Sequence, residues 1–180
     1  MEEPIDDLKY PIGSFKEPVL INNADLLSWV NDIAVFPERL NTAVKHLTAE
    51  QLDTPYRPGG WTIRQVVHHC ADSHMNSWIR LKLALTEDKP VIKPYMEDLW
   101  AELPDSKIMD IHPSLILLQA LHTKWVFLLR SLTDIDLQRV YIHPQYGKEY
   151  RLDSVLALYA WHCNHHLAHI LSLKARKGWK

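Results

Sequence analysis

Glycine and cysteine are scarce in this chain of 180 residues, and neither positive nor negative charge is in large excess. Five glycines exclude a fibrous protein, and two cysteines, Cys70 and Cys163, are too few for a disulfide framework. Twenty basic and twenty-two acidic residues give a formal net charge of -2, which removes the attraction that nucleic acids and anionic membranes require. No apolar run reaches the about 18 residues of a membrane span, and no signal peptide is recognisable. We therefore expect a cytoplasmic protein that binds neither nucleic acid nor membrane.

Apolar residues recur at helical spacing in four long segments, which predict four helices. These are residues 23–47, 63–89, 114–132 and a last helix from Asp153 or Ser154 to Lys177. Pro37 marks a break or kink in the first segment, and Thr62 is the expected N-cap of the second. Gly178 ends the last segment. Four amphipathic helices in sequence predict an all-α fold, a four-helix bundle.

The segments between these helices contain most of the prolines. Residues 1–21 have no helical period and predict an extended N-terminal arm. Residues 90–113 form a long loop, a type that is often functional in a compact domain. Residues 140–152 alternate around a turn at Pro144–Gly147 and predict a short β-hairpin before the last helix. We interpret residues 1–180 as a single domain.

Histidine is abundant, with eleven residues, and is clustered on two of the predicted helices. The last helix contains two pairs at a spacing of four, His162 with His166 and His165 with His169. Residues four apart lie on one helical face, close enough to bind one metal ion. His162 and His166 lie at the centre of the inward stripe and His165 at its edge. Two buried imidazoles are costly unless a metal or another partner compensates, so this pair is the better candidate.

The second cluster, His68, His69 and His74, lies midway along the second helix, and periodicity does not select among its members. His69 shares a polar stripe with further residues: Thr62, Gln65, Asp72, Ser73, Asn76 and Arg80. Such a stripe is more often exposed to solvent, although it also fits the wall of a polar cavity. Cys70 and Cys163 lie about 100° around their helices from candidate ligands, so we expect small core residues.

Two stretches of the chain resemble the DinB/YfiT-like superfamily. They are Gly60–Ser77, with the sequence GWTIRQVVHHCADSHMNS, and Leu158–Ile170, with the sequence LYAWHCNHHLAHI. The resemblance implies a four-helix bundle that holds one divalent ion through three histidines, which are His69, His162 and His166. It also implies a homodimer. His68, His74, His165 and His169 remain candidates for the surroundings of the ion or a pocket.

Three neutral imidazoles leave a divalent ion with an open position, which water can occupy. Imidazole suits zinc or nickel, and we expect zinc in the cell. The resemblance therefore implies a metal-dependent hydrolase that activates water against a small-molecule substrate. The polar stripe of the second helix offers Asp72, Asn76 and Arg80 as the candidate catalytic residues. The resemblance also implies an alternative, a transferase that uses a low-molecular-weight thiol such as bacillithiol. A second alternative is a stress protein that binds metal without turnover.

Overall fold

The computed structural model describes residues 5–180, most of which are helical. The helices of this part of the chain are α1 (Ile5–Lys9), α2 (Asn23–Val44), α3 (Ala49–Leu52), α4 (Ile63–Thr86), α5 (Glu97–Trp100), α6 (Pro104–Lys107), α7 (His112–Leu129), α8 (Asp134–Leu137) and α9 (Leu152–Lys177). Two antiparallel strands, β1 (Val140–His143) and β2 (Lys148–Arg151), form a hairpin before α9. The predicted four-helix bundle with a hairpin before the last helix is confirmed.

The four long helices pack as a ring around one apolar core. Helix α2 contacts α7 and α9, and α4 contacts the same two helices. The order around the bundle is therefore α2, α7, α4, α9. Burial of large side chains stabilises the bundle by about 1.5–3 kcal/mol each. The largest of them are Trp125, Phe36, Ile33, Leu40, Ile63, Leu118, Ile170 and Leu173.

The ends of the long helices follow the sequence signals in most places. The Thr62 hydroxyl accepts a hydrogen bond from the backbone N–H of Gln65, so the predicted N-cap of α4 is confirmed. Gly178 has a φ of 64°, which suits the residue that ends α9. The predicted start of α9 is wrong, because the helix begins at Leu152 and its N-cap position is Arg151. The Asp153 carboxylate accepts from the Arg151 guanidinium and lies within the first turn.

Helix α2 runs through Pro37 without interruption, so the proline does not break it. Proline in a helix interior removes one backbone hydrogen bond, since it has no N–H to donate to the carbonyl four residues earlier. That carbonyl belongs to Ile33, whose side chain is fully buried. Helix α2 packs against both α7 and α9, and these contacts keep the helix continuous.

The polar stripe of α4 is buried at three positions and half-buried at the others, so the more common expectation of solvent exposure is wrong. Helices α5 and α6 and strand β1 lie against α4. The Gln65 side chain donates to the carbonyl of Ala101, 2.8 Å away, and Gln65, His69 and Ser73 are buried. The long loop before α7 thus covers a polar helix face, which becomes a cavity wall.

The N-terminal arm lies along α9. Its described part contains one short helix, α1, and is otherwise without regular structure, while residues 1–4 of the predicted arm lie outside the described residues. The Trp161 indole donates to the carbonyl of Gly13, and Nε2 of His169 lies 3.0 Å from the carbonyl of Lys9. These contacts place the arm beside the histidine cluster of α9. Over residues 5–180, none of the helices has both the length and the hydropathy of a membrane span.

Candidate metal centre

Three imidazoles from two helices meet inside the bundle. His69 comes from the middle of α4, and His162 and His166 come from successive turns of α9. One ring nitrogen of each lies within 4.8 Å of those of the other two. Nε2 of His69 is 3.3 Å from Nε2 of His162, so these two nitrogens face a common point. The structure therefore brings together the three histidines that the resemblance implies.

The environment of the three rings keeps them neutral. Burial lowers the pKa of His69 to about 4, with a smaller contribution from His169. Burial also holds the pKa of His162 and of His166 well below the usual range, and the neighbouring histidines lower both further. A neutral imidazole offers a lone pair, which is the form that binds a metal.

The three residues fit a divalent metal ion. Nδ1 of His166 is buried and has no hydrogen-bond partner among the described residues. A set of three imidazole nitrogens is typical of catalytic zinc sites, which keep a further position open for water or substrate. Imidazole also suits nickel.

One cavity of about 330 Å³ reaches the cluster from the hairpin side, and we call it the tyrosine cavity. Arg80 lies in it, and Nε of its guanidinium is buried without a hydrogen-bond partner within residues 5–180. Burial raises the pKa of the Tyr95 and Tyr141 hydroxyls, so both stay protonated and can donate hydrogen bonds. The other aromatic and imidazole side chains of this wall are His143, Tyr146, Tyr150, Tyr159 and His162.

A second cavity of about 350 Å³ reaches the same cluster from the side of the N-terminal arm, and we call it the arm cavity. His165 lines it and stacks on Trp161, with ring centroids 4.3 Å apart. His169 also lines it and stacks on Tyr56 at 3.9 Å. These two histidines therefore form cavity walls. His69, His162 and His166 also line the arm cavity, so the cluster is accessible from both cavities through His162.

Two acidic residues, Glu97 and Asp98 of α5, line both cavities. Partial burial raises the pKa of Glu97, and the nearby charge of Asp98 raises it further. Sequence reasoning missed both residues as individuals. The sequence signal that could have indicated them is their position in the long loop between α4 and α7, because loops of this length are often functional.

The three candidate catalytic residues from the sequence lie in different places relative to the two cavities. Arg80 lies in the tyrosine cavity, whereas Asp72 and Asn76 line neither cavity. Burial raises the pKa of Asp72 to about 6, and the charge of Asp105 adds to the effect. The Asn76 amide donates to the backbone carbonyl of Asp72. Of these three, only Arg80 thus lines a cavity that reaches the cluster.

The residues close in sequence to the candidate ligands have different contacts from the ligands themselves. Nδ1 of His68 lies 2.8 Å from the Ser114 hydroxyl, on another side of α4 from His69. Cys70 and Cys163 are buried and free, which confirms that they are small core residues. Nε2 of His74 lies 3.0 Å from Nδ1 of His162, so His74 directly contacts a member of the cluster.

Comparisons with known proteins agree with this geometry. The sequence profile of the DinB superfamily matches residues 34–170. A Bacillus cereus protein named "Putative metal-dependent hydrolase" is 53% identical over 177 residues, which cover 97% of this chain and 100% of that protein. A Bacillus licheniformis protein with the same description is 50% identical over 175 residues, covering 97% of this chain and 99% of the relative.

A solved structure is also similar. YfiT from Bacillus subtilis, described as "a probable metal-dependent hydrolase with an unusual four-helix bundle topology", superposes with a TM-score of 0.94 at 50% identity. The match covers 97% of this chain and 99% of YfiT. With its bundle, its three clustered histidines and relatives that match it from end to end, this chain belongs to the DinB superfamily.

Proposed function

We propose that the protein is a metal-dependent hydrolase in which His69, His162 and His166 hold one divalent ion, with zinc as the metal in the cell. The observation that carries the proposal is the cluster of His69 and His166, both buried, with the half-buried His162, because their nitrogens lie within 4.8 Å of one another. All three residues line the arm cavity, and His162 also lines the tyrosine cavity. The names of the 50–53% identical relatives support the same reaction class. A bound ion supplies Lewis-acid chemistry and lowers the pKa of a coordinated water to about 7.

The residues around the cluster supply binding and proton transfer. The Arg80 guanidinium can bind an anionic or carbonyl oxygen of a substrate in the tyrosine cavity, and the Tyr95 and Tyr141 hydroxyls can donate hydrogen bonds there. Glu97 borders both cavities, partial burial raises its pKa, and its carboxyl group can accept a proton from a reactant and return it. We therefore add Glu97 to the candidates for the general acid or base.

A thiol S-transferase is the second candidate, because two cavities reach the cluster: all three histidines line the arm cavity, and His162 also lines the tyrosine cavity. Transfer requires two reactants, and each cavity can hold one of them next to the cluster. Arg80 in one cavity and Lys9 and Arg57 in the other can bind the carboxylates of a thiol such as bacillithiol. Hydrolysis needs only one organic reactant and therefore leaves the second cavity without a role.

The two candidates are separated by assaying protein whose metal content is known. Elemental analysis of the purified protein is expected to give about one zinc or nickel ion per chain. The loaded protein is then tested on a panel of small esters, amides and alkylating electrophiles, with and without bacillithiol. Metal-dependent turnover in water alone supports the hydrolase, and product only with thiol replaces it with the transferase. Bound metal without turnover favours a metal-binding protein, and the absence of bound metal contradicts all three functions.

Glu97→Gln is expected to lower kcat by about 100-fold or more, because an amide cannot exchange the proton that a general acid or base transfers. Metal content is expected to stay unchanged. Glu102→Gln is the matched control, since Glu102 lies in the same loop, lines neither cavity and pairs with Lys107. Equal rates for the two variants would remove Glu97 from the mechanism.

A further inference from the structure

Pro37 leaves one buried carbonyl of α2 without its usual donor. In an α-helix each carbonyl accepts from the N–H four residues later, and proline has none. The carbonyl of Ile33 therefore needs another donor, because buried backbone groups are almost always paired. Nδ1 of His122 on α7 lies 2.7 Å from it and fills that role.

This contact determines where the proton of His122 lies. A carbonyl oxygen can only accept, so Nδ1 of His122 carries the proton and Nε2 of the neutral ring carries a lone pair. Nδ1 of His74 on α4 lies 2.8 Å from that Nε2 and must donate to it. Nε2 of His74 is then an acceptor, and Nδ1 of His162 on α9 lies 3.0 Å away. His162 therefore has its proton on Nδ1 and its lone pair on Nε2.

The chain of imidazoles is enclosed by apolar rings. His74 is 0% exposed and His122 is 1% exposed. The Phe36 ring lies 5.2 Å from His74 and 5.7 Å from His122, between ring centroids, and Trp125 lies within 5.8 Å of both. In such an environment an unmade hydrogen bond is costly, so each donor stays matched to its acceptor.

We propose that His122 and His74 form a hydrogen-bond relay, anchored on the carbonyl that Pro37 leaves free, which presents Nε2 of His162 to the metal. The relay touches the four long helices in the order α2, α7, α4, α9. Its end point is consistent with the cluster, because Nε2 of His162 is the nitrogen that faces Nε2 of His69. The proposal rests on the proposed metal site and adds two positioning residues to it.

The relay prepares His162 for metal binding before any ion arrives. A ring without such a partner can hold its proton on either nitrogen, and in half of these arrangements the proton blocks the ligand atom. Partners that orient a ligating histidine typically change metal affinity by about 10- to 100-fold. A similar contribution is expected here, although the outer partner, His122, is two imidazoles away from the ion.

Zinc affinity is the first measurement, by competition with a chromophoric chelator. His74→Phe and His122→Phe keep a ring in the core but remove the relay, and each is expected to weaken zinc binding by about 10- to 100-fold. His68→Phe is the matched control, because His68 is also a buried imidazole of α4 but bonds Ser114 and the Met109 carbonyl. Wild-type affinity in both relay variants would overturn the proposal.

A double variant separates positioning from stability. Adding Pro37→Ala to His122→Phe gives the Ile33 carbonyl a helical N–H donor again. The midpoint of urea unfolding is expected to recover towards the wild-type value, while zinc affinity stays low because His74 still lacks its acceptor. Recovery of both properties would mean that His122 acts only on stability and would overturn the relay.

The tautomers give a readout that does not depend on metal. In ¹⁵N NMR spectra of the metal-free protein, His122, His74 and His162 are each expected to carry the proton on Nδ1, and His74→Phe is expected to give a mixture at His162. A proton on Nε2 of His162 in the wild type would overturn the relay. Because this test needs no bound ion, it distinguishes failure of the relay from failure of the proposed metal site.

Discussion

Alanine in place of His69 or His166 is expected to abolish stoichiometric metal binding while the bundle stays folded. Each substitution removes one of three ligands, so the loss in affinity should exceed the about 10- to 100-fold that follows from disturbing an orienting neighbour. The apolar core is formed by residues other than the three clustered histidines, such as Trp125, Phe36 and Leu40. The fold should therefore survive both the substitutions and chelation of the metal.

The chain offers a matched control one residue away from each ligand. His68→Ala removes a buried imidazole from α4 that bonds Ser114, and His165→Ala removes one from α9 that stacks on Trp161. Both controls are expected to cost some stability and to keep about one ion per chain by elemental analysis. Metal retained in His69→Ala or in His166→Ala, or unfolding on chelation, would contradict the assignment of the cluster as an open catalytic site.

The helices of the bundle were predictable because their signals are local. The apolar period, the Thr62 capping box and the Gly178 that ends the last helix are each signals between residues only a few positions apart. The His162 and His166 pair was predictable for the same reason, since a spacing of four on an inward stripe already places two rings together. The ends of the helices differ by a few residues where a side chain, such as Asp153, bonds a neighbour instead of a cap.

The surroundings of the cluster depend on tertiary contacts that a local pattern does not contain. Periodicity could not choose His69, because the face it occupies looks like a solvated one until the loop with Ala101 covers it. Glu97 is placed by that same loop, through its position at both cavities. His122 shows no unusual spacing, and its partner carbonyl becomes available only because Pro37 stays inside an intact helix.

The metal-free protein is expected to lose most of its stability between pH 7.5 and pH 5.5. Burial lowers the pKa of at least seven histidines: to about 4 for His69, His122 and His169, to about 3 for His165, and well below the usual range for His74, His162 and His166. In the unfolded chain these rings take up protons near their ordinary pKa of about 6.5. The unfolded state therefore binds more protons, and the free energy of unfolding falls as the pH falls from about 6.5 towards 4.

The size of the expected loss in unfolding free energy follows from the number of histidines that are neutral in the fold. A histidine that stays neutral in the fold contributes about 1.4 kcal/mol of stability that is lost by pH 5.5, so seven contribute about 10 kcal/mol, comparable to the whole stability of many domains. Urea unfolding of chelator-treated protein at a series of pH values measures the slope. His122→Phe with Pro37→Ala should lower the slope by about a seventh, with His46→Gln, at an exposed position, as the control. An unfolding free energy that stays constant from pH 7.5 to 5.5 would contradict the neutral, buried state of the histidines on which both the metal site and the relay depend.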